Sequence, residues 1–282
     1  AEGESFCNRV KERKKLQNNI NNNINTVIVS PRRFGKSSLI LYVLNELKIS
    51  YGRVDLFVAL DEATVAREII DGVNGLLNLV IGKPEQLISS MKDILKKVNT
   101  KWSIGTDGVT IELTRKEKND NALAVRDALI ILDEILKKKN KTAVFFIDEF
   151  QEIAIVAEAK GIEGAIRSVA EKSKNLVFIF SGSNRHALSS MFDDRSRPLY
   201  MLCDKITLGR IEKDDYITFI NKAAIKKWGQ SLTNDFFEKL FYFTKMHTYY
   251  VNLICGRLFS ENNSTPTALA VEDCWWQYII EE

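Results

Sequence analysis

The stretch Thr26-Val27-Ile28-Val29-Ser30-Pro31-Arg32-Arg33-Phe34-Gly35-Lys36-Ser37-Ser38 decides how this chain is read. Thr26 to Val29 has the composition of a short buried strand, Pro31 and Gly35 mark a turn, and Lys36 to Leu47 is a strongly helical run. Strand, turn and helix in that order form the first unit of a parallel α/β sheet. The turn has the residue types that hold a polyphosphate. Gly35 lets the backbone approach phosphate oxygens without a Cβ in the way. The helix beginning near Lys36 aims unpaired N–H groups and the positive end of its dipole at an anion. The Lys36 ammonium suits the β and γ phosphates, and the Ser37 hydroxyl suits Mg²⁺. The segment nearly fits GxxxxGK[ST], departing from it at Ser30. Ser30, Pro31, Arg32, Arg33, Phe34, Gly35, Lys36, Ser37 and Ser38 are therefore candidate nucleotide-binding residues.

Outward from this loop, strand and helix signals alternate. Asn8 to Ile20 reads as a basic amphipathic helix, broken by the Asn-rich run Asn18 to Asn25. Val54–Leu60 is a second apolar run with strand formers, Ala63–Val80 has helical spacing, and Leu87–Val98 is a further expected helix. Trp102 to Leu113 alternates around Gly105 and Asp107-Gly108, a hairpin signal that interrupts the β–α order and reads as an insertion. Ala122–Lys138 is an amphipathic helix. Ala143–Ile147, Leu176–Phe180 and Ile206–Leu208 are expected strands, with a helix near Glu163–Lys172. Near-continuous apolar strands between helices imply a parallel sheet covered on both faces. After Glu212 only helical segments appear, near Lys213–Trp228, Asn234–Phe243, Tyr249–Ser260 and Ala270–Ile280. The expected organisation is a core over residues 1–210, carrying a hairpin near 100–115, and a helical subdomain over 211–282.

The second chemical motif is Val144-Phe145-Phe146-Ile147-Asp148-Glu149. Burying a strand that ends in two adjacent carboxylates is costly unless the strand's carboxyl edge uses them, and that edge is where parallel sheets bind ligands. Asp148 suits Mg²⁺, directly or through water, because this ion takes oxygen ligands and keeps several waters. Glu149 suits the orientation and polarisation of an attacking water.

The chain has 282 residues, 45% apolar and 27% charged, with a net charge of +3, which is an ordinary globular balance and not that of an obvious polyanion binder. Its four cysteines, Cys7, Cys203, Cys255 and Cys274, form no CxxC pair and have no His at zinc-finger spacing. Reduced thiols and a cytoplasmic location are expected. No run approaches the ~18–20 apolar residues of a membrane span. The opening residues do not read as a signal peptide, and the chain is expected to be part of a longer protein.

With both motifs in place the sequence resembles the archaeal and bacterial ATPase family of the AAA+ and STAND P-loop NTPases. Phe6-Cys7-Asn8-Arg9-Val10-Lys11-Glu12 is similar to the family's N-terminal F-x-G-R-x-x-E box, which packs beside adenine, with Asn8 in place of glycine. Asn8 reads equally as a helix N-cap. Ser181-Gly182-Ser183 stands where the family has a polar residue facing the γ-phosphate, and both serines are candidates, Ser183 for a catalytic role. Arg195 and Arg197 lie where related ATPases place an arginine finger that acts on a neighbouring subunit's nucleotide, and Arg197 is the candidate. Met246-His247-Thr248-Tyr249-Tyr250 is similar to the family's G-H-P-Y-Y at the start of a lid helix, with His247 as the nucleotide contact. Phe150-Gln151-Glu152-Ile153 also resembles the family.

The resemblance implies an AAA+ P-loop NTPase core, a five-stranded parallel sheet in the order 5-1-4-3-2 with helices on both faces, and a lid of about four helices. It further implies ATP and Mg²⁺ as cofactors, Lys36, Glu149, Ser183 and Arg197 as catalytic residues, Ser37 and Asp148 on the metal, and Phe6, Arg9 and His247 on the nucleotide. The expected activity is ATP hydrolysis, which converts ATP to ADP and moves the lid against the core, in a homo-oligomer if the finger operates. A protein or DNA partner is expected through flanking domains. The alternatives are a nucleotide-gated DNA- or protein-binding module with little turnover, drawing on the basic segments Arg9–Lys15 and Lys137–Lys141; a relic with impaired catalysis; and a small-molecule kinase, which the Asp148-Glu149 pair and the helical tail disfavour. No N/TKxD-like guanine signature occurs, so adenine is preferred by default.

Overall fold

The computed structural model describes residues 9–81, 101–105, 108–112, 120–156 and 160–281. The helix expected at Leu87–Val98, Phe6, Cys7 and Asn8 of the N-terminal box, and Asp107 of the turn lie outside the described residues. Contacts divide the chain into two compact units. One comprises Glu12–Pro31 and Ile40–Thr207; the other comprises the stretch ending at Lys11, Arg32–Leu39 and Leu208–Glu282.

The first unit is built on a sheet of β1 (Thr26–Val29), β2 (Ser50–Asp55), β5 (Ala143–Asp148), β6 (Leu176–Gly182) and β7 (Asp204–Thr207), ordered β2-β5-β6-β1-β7. Every pairing is parallel. Counted along the chain within this sheet, the order is 5-1-4-3-2 read from the β7 edge, as expected. All residues of β1, β5 and β6 are buried, which is why their sequences run apolar without alternation. The helices α3 (Glu62–Ile81), α4 (Asp120–Lys138) and α6 (Lys160–Ala170) pack in series on one another, and their apolar stripes join the strands in a single core.

The second strand departs from expectation. The apolar run Val54–Leu60 suggests a strand there, but β2 ends at Asp55, and Phe57, Val58 and Leu60 are 55%, 67% and 87% exposed. The Asp55 carboxylate accepts the Phe57 N–H at 3.1 Å, an Asx turn that competes with strand continuation. Leu56 and Ala59 turn back into the core, with the Ala59 N–H on the Leu56 carbonyl at 3.0 Å. The strand instead uses Gly52 and Val54 as its buried positions. The last strand begins at Asp204 rather than Ile206. Two short helices lie outside the expected elements, α5 (Glu152–Val156) and α7 (Arg185–Asp193); the latter is N-capped by Asn184, which accepts the Ala187 N–H at 3.1 Å.

The Asn-rich run has a packing role. Asn25 accepts the Phe178 N–H at 2.9 Å and donates to the Ala170 carbonyl at 3.0 Å. Asn19, near the end of α1 (Val10–Asn21), donates to Thr26 at 3.0 Å and Asp204 at 2.9 Å, tying that helix to β1 and β7. The hairpin of β3 (Lys101–Gly105) and β4 (Gly108–Glu112) is antiparallel. It is pinned to α3 by the Asn74 amide, which donates to the Ile111 carbonyl at 3.1 Å and accepts its N–H at 3.0 Å, and Ile111 itself is buried.

The second unit contains α8 (Lys213–Trp228), α9 (Asn234–Thr244), α10 (Thr248–Glu261) and α11 (Ala268–Glu281). Tyr216, Phe236, Phe237, Leu240, Ile254 and Val271 lie in its core. Gly229 closes α8 with φ 75°, and Thr233 caps α9 by accepting the Phe236 N–H at 3.3 Å. The same unit includes the loop Arg32–Leu39, which a division into consecutive domains near residue 210 assigns to the core. Among the described residues no helix is long and apolar enough to cross a membrane.

The contact of α3 with β2 is close at two glycines, where Val54, Leu76 and Phe145 leave no room for a further side chain. A Cβ at Gly72 would stand 2.3 Å from Val54 Cγ2, and one at Gly52 would stand 3.0 Å from the Gly72 carbonyl oxygen. Val54 is stiff at χ1 and cannot swing aside freely. Gly72→Ala is therefore expected to destabilise the protein by about 1–3 kcal/mol through overpacking, measured by urea denaturation, with Val54→Ala in the same chain restoring part of the loss.

Candidate functional site

The parallel register brings three strand ends to one edge of the sheet. β1 leaves its ladder at Val29, paired with Gly182, and continues into Ser30 and Pro31; β5 leaves at Asp148, paired with Asp55 of β2; β6 ends at Gly182 between β1 and β5. This is the carboxyl edge, where the acidic motif, the Ser181-Gly182-Ser183 segment and the start of the phosphate-loop sequence converge.

Asp148 is only 4% exposed. A carboxylate withdrawn from water needs partners, and here they come from three sides. Ser181 donates its hydroxyl to Oδ1, the Glu149 backbone N–H donates to the same oxygen at 3.1 Å, and Arg53 on β2 donates to Oδ2 at 3.4 Å. Glu149 has left-handed backbone, φ 49°. Its Oε2 accepts from the Ser183 N–H at 3.1 Å, the Ser183 hydroxyl at 2.8 Å and the Gln151 amide at 2.6 Å. The two serines left open by the sequence thus have different partners: Ser181 belongs to Asp148 and Ser183 to Glu149.

The phosphate-loop segment is divided between the two units, Ser30 and Pro31 in the first and Arg32–Leu39 in the second. Ser30 is buried, and its hydroxyl donates to the Pro31 carbonyl at 3.0 Å. Its φ is not positive, which explains why serine can stand where the pattern has glycine; the left-handed positions are Arg33 at φ 63° and Gly35 at φ 86°. Nothing lies within 4 Å of a Cβ built at Gly35, so the demand for glycine there is conformational. The helix α2 (Lys36–Leu47) then begins, with the Leu39 N–H on the Gly35 carbonyl at 2.9 Å. Left-handed residues ahead of a helix N-terminus can turn successive N–H groups toward one side, an anion-binding arrangement. Lys36, Ser37 and Ser38 form the first turn of that helix.

Within the unit that contains Arg32–Leu39, contacts to the loop include those of Arg9, His247 and Tyr249. The Arg9 guanidinium, 6% exposed, donates to the Phe34 carbonyl at 3.1 Å and the Gly209 carbonyl at 2.8 Å. The Phe34 ring meets His247 edge-on, with centroids 5.0 Å apart. The Arg33 guanidinium lies 4.1 Å over the Tyr249 ring. His247 precedes α10 and also packs on Tyr250, with centroids 5.1 Å apart. Its Nδ1 is buried with no hydrogen-bond partner. Burial, followed by the charges of Arg210 and Arg33, holds the His247 pKa below its ordinary value. Arg9 and His247, expected on the nucleotide, are thus both engaged with the loop itself.

Arg197 forms an ion pair with the buried Glu163 of α6, while Arg195 is exposed. The adjoining backbone is held by Arg167, which donates to the carbonyls of Pro198 and Tyr200. To serve as a finger, Arg197 would have to leave Glu163. Sequence reasoning did not single out Arg53, Gln151 or Gly182 as site residues. Arg53 lies between the buried positions Gly52 and Val54, so its alternation marks an outward side chain, but only the β2–β5 register places it beside Asp148.

No protein-family model matches the sequence, and no curated protein matches it. Solved structures do. The Walker-type ATPase PABY2304 of Pyrococcus abyssi is similar over 99% of this chain and 73% of that one, with 16% identity and a TM-score of 0.68. The Aeropyrum pernix ORC2 protein, in ADPNP-ADP complexes, is similar over 98% of this chain and 70% of its own, with 14% identity and a TM-score of 0.60. The Aeropyrum pernix ORC1 protein, in complex with DNA, is similar over 98% and 66%, with 10% identity and a TM-score of 0.60. The parallel sheet, its strand order and the helices that follow it have the AAA+ P-loop NTPase fold.

Proposed function

We propose that this chain binds ATP with Mg²⁺ and hydrolyses it, using the change of nucleotide to alter the hold between the phosphate loop and α10. The observation that carries the reading is the acidic pair at the carboxyl edge of the sheet: Asp148 fixed on both oxygens and Glu149 fixed on one, on the strand separated from β1 only by β6. A hydroxyl and a carboxylate, Ser37 and Asp148, are the oxygen donors Mg²⁺ prefers. When bound, Mg²⁺ neutralises charge on the β and γ phosphates. The backbone amides around Arg33 to Lys36 would hold phosphate oxygens, and the Lys36 ammonium would counter the charge developing on the transferred group. Glu149 would orient the attacking water and take up its proton. Arg197 is left out of this set, because its guanidinium already serves Glu163.

The lid half of the reading draws on the loop's fasteners. Arg33 and Phe34 sit within the phosphate loop, and their partners Tyr249 and His247 sit at the start of α10. A phosphate drawing Arg33 toward itself would release Tyr249, so loop occupancy and α10 share one contact.

A nucleic-acid-binding module has less support. Of the basic segment Arg9–Lys15, Arg9 serves backbone carbonyls, Arg13 pairs with Glu46, and Lys15 pairs with Asp204. In the second basic segment Lys139 donates to the Ile81 carbonyl. DNA in the ORC1 structure belongs to that protein.

The reading is tested by titrating ATP, ADP and GTP against the purified chain and its variants in the presence of Mg²⁺. ATP is expected to bind, with Lys36→Ala weakening it by at least about tenfold, while Glu149→Gln retains binding and loses turnover by about a hundredfold or more. Failure of the wild-type chain to bind ATP, or equal turnover with Lys36→Ala, overturns the reading. Salt-sensitive binding of duplex DNA without ATP binding would favour the other class.

His247 gives a pH dependence with a definite sign. Its folded pKa lies below the unfolded value of 6.5, so the unfolded chain takes up the proton first as pH falls. Stability is then fully present above 6.5 and is lost as pH falls through the depressed folded value. The urea midpoint of the wild type is expected to drop across this window more than that of His247→Gln, and equal slopes for the two would remove His247 from the account.

A further inference from the structure

Gln151 has no role in the nucleotide chemistry described so far, yet it is 1% exposed and directed at the acidic pair. Its Nε2 donates to Glu149 Oε2 at 2.6 Å and to Glu152 Oε1 at 3.1 Å. The Ser183 N–H and hydroxyl reach the same Glu149 oxygen, at 3.1 Å and 2.8 Å. Three donors from two residues therefore converge on Oε2, while Oε1 accepts nothing from the described residues. The Glu149 backbone is fixed at the other end, with its N–H on Asp148 Oδ1 at 3.1 Å and φ at 49°.

The space for this arrangement comes from the last residue of β6. A Cβ at Gly182 would stand 1.9 Å from Gln151 Oε1 and 3.1 Å from its Cδ. That oxygen is buried and has no hydrogen-bond partner. The amide is thus held at its donor end and tolerates an unsatisfied acceptor, which costs free energy. A residue serving packing alone would not need an amide here; an apolar side chain of similar length would fill the same volume without the orphaned oxygen.

The geometry points to Gln151 as a positioning residue for hydrolysis, seated against Gly182 and anchoring Oε2 of Glu149 so that Oε1 is held ready for water. This rests on the hydrolysis reading above. In the step it supports, the water oxygen bonds to the γ-phosphorus as the bond from that phosphorus to the β–γ bridging oxygen breaks. The water proton passes to Glu149 Oε1, and ADP departs with the bridging electron pair. Gln151 touches neither water nor nucleotide and acts only through Glu149. An acid anchored at one oxygen loses little orientation freedom at the moment of reaction, and misplacement of such a group is costly.

The test is steady-state ATP hydrolysis by the full chain, with kcat and KM measured separately for wild type, Gln151→Leu, Gly182→Ala, Glu149→Gln and the Gln151→Leu/Glu149→Gln double variant. Gln151→Leu removes the donor. Gly182→Ala leaves the donor in the sequence but displaces it, and because the clash is with the end of a flexible side chain the fold accommodates it. Both are expected to lower kcat roughly ten- to a hundredfold while KM stays within about twofold. In the Glu149→Gln background Gln151→Leu is expected to cause no further loss, since the two act as one unit. Unchanged kcat in Gln151→Leu, or an undiminished further loss in the Glu149→Gln background, overturns the proposal. Should Gln151→Leu fail to fold by urea denaturation, Gly182→Ala decides on the same criteria. A wild-type chain without turnover defeats the hydrolysis reading and this inference with it, whereas normal wild-type turnover matched by Gln151→Leu defeats this inference alone.

Discussion

An apolar strand that ends in a buried carboxylate imposes the central constraint on this protein. Asp148 closes β5, all six of whose residues are buried. Its charge must be met from neighbouring strands because its own strand offers nothing polar. The answer comes from both sides: Ser181 on β6 and Arg53 on β2 reach across to it. Each contact depends on the parallel register, which fixes how far along β2 and β6 the relevant side chains stand. A register shift of one residue would turn those side chains to the opposite face and leave the carboxylate unmet. The sheet's order and the chemistry at its edge are thus one problem with one solution.

The phosphate loop follows a different logic. Its conformation comes from left-handed residues at Arg33 and Gly35 and from the helix that starts immediately after them. Its tethers are heterogeneous: a guanidinium on carbonyls, an aromatic edge on an imidazole, and a cation over a phenol ring. None of these is an ion pair between opposite formal charges. Such contacts are individually modest.

The parts legible in the sequence are those governed by local chemistry or by burial on both faces. β1, β5 and β6 announce themselves as continuous apolar runs, and the loop as glycine followed by lysine and serine at a strand-to-helix junction. β2 is hard to place from sequence because its span, Ser50–Asp55, mixes Gly, Arg and Tyr, while the more apolar Phe57, Val58 and Leu60 protrude from the following turn. The acids themselves were readable. Arg53 and Gln151 were not, since one becomes relevant through strand register and the other through the missing Cβ of a glycine 31 positions away. The asparagines of the run near residue 20 looked like a helix break; Asn19 and Asn25 are instead long-range ties, visible only once β6, β7 and α6 are in place.

The glycine contact between α3 and β2 bears on how force travels through the sheet unit. The hairpin grips α3 through the two ends of one amide, that of Asn74, and α3 rests on β2 with backbone nearly against backbone at Gly72 and Gly52. Long side chains normally cushion a helix on a sheet and absorb small displacements by changing rotamer. At Gly72 and Gly52 that cushion is reduced to the side chains of Val54, Leu76 and Phe145. A push on the hairpin would therefore reach, by way of α3, the strand that bears Arg53, one residue beyond Gly52 and in contact with Asp148.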